Sequence, residues 1–139
     1  MPRFIQPQAS DRGVVSGVEH RRALQGFGVL IVEDEAMVAM LLEDLLHELG
    51  CHVVEIASRV ETALASILAR IFDVAILDVN LKGETSYPVA DVLELRNVPF
   101  LFATGYGTEA IPEKYRQRTV LQKPFRKQEL EEALLRALQ

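Results

Sequence analysis

Short apolar runs recur along the chain, and several of them end abruptly in an acidic, basic or hydroxyl residue. One such run extends from Val74 to Leu77, and Asp78 follows it directly. A run this short and this apolar is typical of a strand that is buried on both faces, as in a parallel sheet covered by helices. Asp78 would then lie at the carboxyl end of the strand, where open α/β sheets bind ligands. For Asp78 taken alone, a turn or helix-capping role is the alternative.

The same pattern predicts five strands separated by helices. The strands are Gly28 to Val32, Cys51 to Ala57, Phe72 to Leu77, Val98 to Ala103, and Val120 to Leu121. Apolar residues at helical spacing predict helices from Ala36 to Leu49, from an N-cap at Ser58 to about Arg70, from Ser86 or Tyr87 onward, and from Lys127 to Leu138. A short, weak helix interrupted by Pro112 is expected between Thr108 and Arg116.

Regular alternation of strand and helix predicts an α/β fold. The expected architecture is a flavodoxin-like, five-stranded parallel sheet of order 2-1-3-4-5, with helices on both faces and right-handed crossovers. The first and third strands are neighbours in this order. The residues that follow them, Glu33-Asp34 and Asp78, should therefore converge at one edge of the sheet.

Residues 1–26 differ from the rest of the chain. Proline, glycine and serine interrupt any periodicity there, and four arginines outnumber two acidic residues. We expect an N-terminal extension that is flexible, followed by one domain over residues 27–139. The alternative is a short helix from Val18 to Gln25 that packs on the domain or on a second copy of the chain.

Composition excludes several classes of function. The formal net charge of −5 argues against a surface that binds DNA. Cys51 is the single cysteine, which excludes an internal disulfide and suits a reducing compartment. No apolar run approaches the roughly 20 residues that span a bilayer, and no apolar signal segment begins the chain. We therefore expect a cytoplasmic protein that does not bind a membrane.

The strand ends together offer a specific chemistry. Glu33, Asp34 and Asp78 form an oxygen-rich cluster that suits Mg²⁺, while Thr104 and Lys123 follow the fourth and fifth strands. A lysine and a hydroxyl are suited to binding a phosphoryl group, and a carboxylate can accept one covalently. Each residue alone has a bland explanation, such as a cap or a solvated side chain. The combination at four strand ends favours phosphoryl chemistry.

The residues that form this site carry a family resemblance. Val32-Glu33-Asp34-Glu35, Leu77-Asp78-Val79, Ala103-Thr104-Gly105 and Gln122-Lys123-Pro124-Phe125 resemble the motifs of CheY-like receiver domains of two-component response regulators, in order and spacing. The resemblance implies that Asp78 is the phosphoacceptor for a histidine kinase. It further implies Mg²⁺ held by Glu33, Asp34, Asp78 and the backbone carbonyl of Asn80, a phosphoryl group bound by Thr104 and Lys123, and a cis bond before Pro124.

The chain departs from the family pattern at two places. Receivers commonly carry an aromatic switch residue where this chain has Val120, and the helix expected between Thr108 and Arg116 is short. Together with Phe102-Ala103-Thr104-Gly105, these features resemble those of the FAT GUY subgroup of receivers. That resemblance implies a histidine kinase of the HWE type as partner. Tyr106, between two glycines, is the candidate for the moving aromatic, together with Thr104.

The resemblance implies a signalling domain rather than an enzyme, one that catalyses only its own phosphorylation and dephosphorylation. Because no output domain follows the last helix, we expect a stand-alone receiver that acts through contact with an unidentified downstream protein, as a relay, a phosphate sink or an allosteric partner. A homodimer is an additional possibility. The alternatives are a haloacid-dehalogenase-type phosphatase, a degenerate receiver used for docking, and a flavin-binding module. Asn80 stands where the phosphatase needs a second aspartate, and no glycine-rich loop follows the first strand for a flavin phosphate.

Overall fold

A computed structural model describes residues 23–105 and 111–139 of the chain. The strands are β1 (Gly28–Val32), β2 (His52–Ala57), β3 (Val74–Asp78), β4 (Asn80–Leu81), β5 (Glu84–Thr85), β6 (Phe100–Thr104) and β7 (Val120–Gln122). The α-helices are α1 (Ala36–Glu48), α2 (Val60–Ala69), α3 (Tyr87–Leu95) and α4 (Lys127–Ala137), and Glu113–Tyr115 form a 3₁₀ helix. None of these helices combines the length and the apolar character needed to cross a membrane.

Five strands form a parallel sheet in the order β2-β1-β3-β6-β7, which confirms the predicted topology. The central strands β1, β3 and β6 are buried at every position, because helices cover both faces. Alternate residues of each strand face opposite sides, so the sheet separates two apolar clusters. One cluster packs α1 and α4 against the sheet, and the other packs α2 and α3.

A hairpin that the pattern did not predict follows the central strand. β4 and β5 pair antiparallel as Asn80 with Thr85 and Leu81 with Glu84. The two residues of the turn, Lys82 and Gly83, have φ values of 47° and 91°. Such left-handed backbone at both turn positions matches the twist of a two-residue hairpin.

The chain enters the core earlier than the predicted domain start at residue 27. Leu24 is buried in the cluster beneath α1 and α4, and its carbonyl accepts a bond from the Cys51 thiol at 3.5 Å. Gly26 N–H donates to the Gly50 carbonyl at 2.8 Å. These contacts attach the residues before β1 to the turn between α1 and β2. The remainder of the predicted extension, residues 1–22, lies outside the described residues.

Gly50 provides a test of how tightly this turn is packed. Its φ is +92°, and an added Cβ would lie 2.5 Å from the Gln25 side-chain oxygen and 3.3 Å from the Gln25 Cα. We expect Gly50→Ala to lower the free energy of unfolding by about 2 to 3 kcal/mol, from backbone strain and displacement of Gln25. Urea denaturation measures the change.

Gly83→Ala is the matched control. Gly83 has φ +91°, but nothing lies within 4 Å of an added Cβ. This variant should therefore lose only the backbone cost, about 1 kcal/mol. Equal losses in the two variants would show that Gln25 adjusts freely and that the turn is not tightly packed.

Candidate functional site

The carboxyl edge of the sheet forms a cavity of about 520 Å³. The residues that line it come from the ends of β1, β3, β6 and β7 and from the hairpin. They are Asp34, Glu35, Asp78, Asn80, Lys82, Thr104, Gly105 and Lys123. Parallel strands carry their carboxyl ends to one edge, so residues distant in sequence meet here. Glu35, Lys82 and Gly105 were not site candidates from the sequence; their place directly beside strand ends was the available signal.

Three carboxylates lie together at the ends of β1 and β3. Glu33, Asp34 and Asp78 each offer an oxygen, and these oxygens all lie within 4.8 Å of one another. Glu33 and Asp78 are buried, while Asp34 is half-buried. The backbone N–H of Glu35 donates to Glu33 Oε2 at 3.1 Å, which fixes one side of that carboxylate. The cluster is therefore built into the sheet edge rather than carried on a mobile surface.

Lys123 follows the edge strand β7, and its side chain reaches this cluster. Its backbone N–H donates to the Thr104 carbonyl at 2.8 Å, which continues the β6–β7 ladder to the end of both strands. Its Nζ lies 3.0 Å from Glu33 Oε1 and 3.4 Å from Asp78 Oδ1. The Lys123–Pro124 peptide bond is cis, the isomer that the family resemblance implies. The ammonium group thus bridges the carboxylates of β1 and β3.

Burial and charge change the proton affinity of this group of side chains. Burial, and then the negative charge of Glu33, raise the pKa of Asp78 to about 7, against the opposing charge of Lys123. Burial by itself would lower the pKa of Lys123, but its hydrogen bond to Glu33 and the charge of Asp78 outweigh it and raise that pKa. The lysine stays charged while the aspartate resists ionisation when no cation is bound.

The donor set fits a hard divalent cation. All three groups are carboxylates, the oxygen ligands that Mg²⁺ prefers, and they lie close enough to share one ion. Three negative charges against the one positive charge of Lys123 leave a formal charge of −2, which a divalent ion balances. This acidic cluster therefore suits the Mg²⁺ that the family resemblance implies. Among the described residues, no other group of three such side chains qualifies.

The remaining predicted residues divide between the site and its surroundings. Thr104 is buried and lines the cavity. Asn80 also lines the cavity. Val120 does not reach the cavity; it is half-buried and lies opposite Phe102 in the ladder. Tyr106, the candidate for the moving aromatic, lies outside the described residues, as does part of the short helix expected between Thr108 and Arg116.

Comparison with protein families identifies the family to which the chain belongs. The model of the response regulator receiver domain matches residues 29–135, most of the chain. The chain belongs to this family. As a receiver domain it is a signalling domain of the two-component type, and its membership implies a histidine kinase as partner.

Known receivers support this membership at the level of structure. SdrG from Sphingomonas melonis Fr1 is 46% identical, with a TM-score of 0.74 over 81% of this chain and 96% of that chain. The receiver domain of PhyR from Erythrobacter litoralis is 27% identical, with a TM-score of 0.74 over 84% of this chain and 92% of that chain. The match to SdrG thus spans nearly the whole of that relative.

One curated relative is longer than this chain. The sensory transduction protein LytR of Staphylococcus haemolyticus is 30% identical over 109 residues, which are 76% of this chain but 43% of LytR. The receiver described here therefore spans less than half the length of LytR. What LytR does as a whole protein does not transfer to this receiver.

Proposed function

We propose that Asp78 accepts a phosphoryl group from a phosphohistidine of a histidine kinase. The observation that carries this assignment is the position of Asp78 in one cavity with two further carboxylates and with Lys123 Nζ at 3.4 Å. An Asp78 carboxylate oxygen would attack phosphorus and form an acyl phosphate. The phosphorus–nitrogen bond of the kinase breaks, and its electron pair returns to the imidazole ring, which takes up a proton.

The other side chains of the cavity have separate parts in this proposal. Lys123, already aimed at Asp78, would pair with an oxygen of the transferred phosphoryl group, and the Thr104 hydroxyl would donate to another. Glu33, Asp34, Asp78 and the backbone carbonyl of Asn80 would hold Mg²⁺. When bound, the cation offsets negative charge that builds up between the carboxylate and the phosphoryl oxygens.

Relatives support a phosphoryl-accepting role for the site. SdrG also has a solved conformation activated by BeF₃, a group that takes the place of a phosphoryl group on a carboxylate. We further propose that the kinase is of the HWE type, that signalling takes place in the cytoplasm, and that output runs through contact with a downstream protein. A homodimer is a further arrangement open to this receiver, and its membership of the FAT GUY subgroup stays a prediction.

The test is to incubate the protein with labelled acetyl phosphate and Mg²⁺. We expect one phosphoryl group per chain, stable in acid and released by base, because that stability is typical of an acyl phosphate. Omitting Mg²⁺ or adding EDTA should suppress the labelling, which provides the internal control. A label that survives base would not be an acyl phosphate, and it would contradict the proposal.

A second incubation, with a phosphoester substrate, separates this function from phosphatase activity. A haloacid-dehalogenase-type enzyme would release many phosphates per chain from the phosphoester, whereas a receiver would leave it intact. Competition among phosphorylated histidine kinases then identifies the partner as the one that transfers its label fastest. A phosphatase of this type needs a second aspartate two residues after the nucleophile, and this chain has Asn80 at that position.

A further inference from the structure

A cluster of four aromatic rings lies beside the site, on the face of the sheet that carries α2 and α3. Phe100 and Phe102 project from β6, Tyr87 begins α3, and Tyr115 ends the 3₁₀ helix. The Tyr115 ring stacks on Tyr87 at a centroid distance of 5.5 Å and meets Phe102 edge-on, also at 5.5 Å. With 1% of its surface exposed, Tyr115 is fully buried in this cluster.

The Tyr115 hydroxyl connects the cluster to the surface of α3. It donates a hydrogen bond to the Asp91 carboxylate, and the Tyr87 carbonyl lies 3.3 Å away. Burial raises the pKa of Tyr115, and the bond to Asp91 raises it further, so this hydroxyl stays a donor. Asp91 is half-exposed and also pairs with Lys114 at 3.1 Å. A buried ring thus holds a carboxylate on the outer surface of α3.

The cluster also contacts the strand that ends at Thr104. Successive residues of a strand face opposite sides, so Phe102 and Thr104 project toward the same face of the sheet. The neighbouring strand offers no aromatic there, since Val120 lies opposite Phe102 and only partly fills the space beside it. Tyr115 reaches this region from the 3₁₀ helix instead. Its ring contacts Phe102, so a movement of β6 at Thr104 would disturb it.

We propose that Tyr115 is the switch residue of this receiver, seated against Tyr87, Phe102 and Asp91 before phosphorylation and displaced from that seat afterwards. This inference rests on the proposed function, because a phosphoryl group on Asp78 supplies the force that draws Thr104 inward. Packed interiors have discrete arrangements rather than continuous ones, so a small shift of Phe102 changes the seat as a whole. Release of Tyr115 leaves Asp91 paired with Lys114 alone and alters the surface of α3.

The hydrogen bond between Tyr115 and Asp91 can be removed without changing a residue of the cavity. Asp91→Ala removes the acceptor from a half-exposed helical position, and Tyr115→Phe removes the donor but keeps the ring. If the bond exists only before phosphorylation, its loss favours the activated state. By linkage, each variant should then bind beryllofluoride with Mg²⁺ about fivefold more tightly, the effect of one net hydrogen bond. The half-saturating concentration is read from amide shifts of β3.

Controls separate a switch from a structural contact. Lys114→Ala removes the other partner of Asp91 and should leave the affinity unchanged. The double variant Asp91→Ala with Tyr115→Phe should bind no more tightly than either single variant, because both remove the same bond. A merely structural tyrosine would lower the melting temperature while leaving the affinity at the wild-type value.

The outcomes also separate this inference from the proposed function. Wild-type protein that never binds beryllofluoride would overturn the phosphoacceptor assignment itself. Saturable wild-type binding, with unchanged or weaker affinity in both single variants, would overturn the switch alone. Additive tightening in the double variant would likewise overturn it, because the two side chains would then act separately.

Discussion

Asp78→Asn is expected to abolish labelling by acetyl phosphate, with the rate reduced by about a hundredfold or more. The variant keeps the shape of the side chain but replaces the attacking carboxylate with an amide, which is a poor nucleophile. Other carboxylates stand close by, with oxygens of Glu33 and Asp34 within 4.8 Å of Asp78. Nevertheless Glu33 is held by Lys123 and by the backbone N–H of Glu35, which leaves it poorly placed to substitute.

Two control variants make this result specific. Asp34→Asn removes a carboxylate of the same cavity; it should slow labelling by weakening Mg²⁺ binding and leave the label on Asp78. Asp44→Asn changes an exposed aspartate of α1 and should label at the wild-type rate. Labelling of Asp78→Asn to the wild-type extent, with the label mapped elsewhere, would refute the assignment of Asp78.

Stability should change in the opposite direction from activity at the same residue. Asp78 lies beside Glu33 and Asp34 at the carboxyl edge of the sheet. Like charges this close destabilise the folded state when no cation is present. In EDTA at pH 8, we expect Asp78→Asn to raise the free energy of unfolding by about 2 kcal/mol, after allowance for solvent screening of the cavity. Urea denaturation provides the measurement.

The pH dependence follows from the raised pKa of Asp78. An unfolded aspartate ionises near 3.8, whereas Asp78 in the folded, metal-free protein ionises at about 7. Between these values the folded state binds more protons than the unfolded state, so the wild-type protein loses stability as pH rises from about 4 to 7. Asp78→Asn should lack this loss, and the two proteins should converge below about pH 4.

Mg²⁺ provides the complementary measurement on the wild-type protein. A cation that binds only the folded state should add about 1.4 kcal/mol at ten times its dissociation constant. The gain should be smaller in Asp78→Asn and unchanged in Asp44→Asn. A wild-type denaturation curve that millimolar Mg²⁺ leaves unmoved would refute a cation site among these carboxylates.

Hydrophobic patterning was sufficient to predict the main sheet. β1, β3 and β6 are apolar runs because both of their faces are buried, and their alternation with helices indicates a parallel sheet, for which the flavodoxin-like order was the one predicted. The convergence of Asp34, Asp78, Thr104 and Lys123 follows from that order, since parallel strands end at one edge. The predicted strand order was therefore the main basis for predicting which residues meet at the site.

Local and nonlocal details escaped the pattern for different reasons. Ser58 was predicted as an N-cap, but α2 begins at Val60 with Arg59 as its N-cap, since a serine ahead of an apolar helical pattern is only a statistical signal of a helix start. The β4–β5 hairpin strands have two residues each, too short for any periodicity. The seat of Tyr115 depends on rings from three separate elements, and no spacing in the sequence connects them.

The entry of Leu24 into the core fixes how this receiver can be tethered. Leu24 and Gly26 attach to the turn at Gly50, which lies at the amino edge of the parallel sheet. α4 runs back from the carboxyl edge after β7, so it delivers Ala137 to that same amino edge. Both ends of the described domain thus lie at the amino edge of the sheet, which is opposite the cavity. A surface, a scaffold or a fused protein attached through either end would leave the mouth of the cavity open to an approaching kinase.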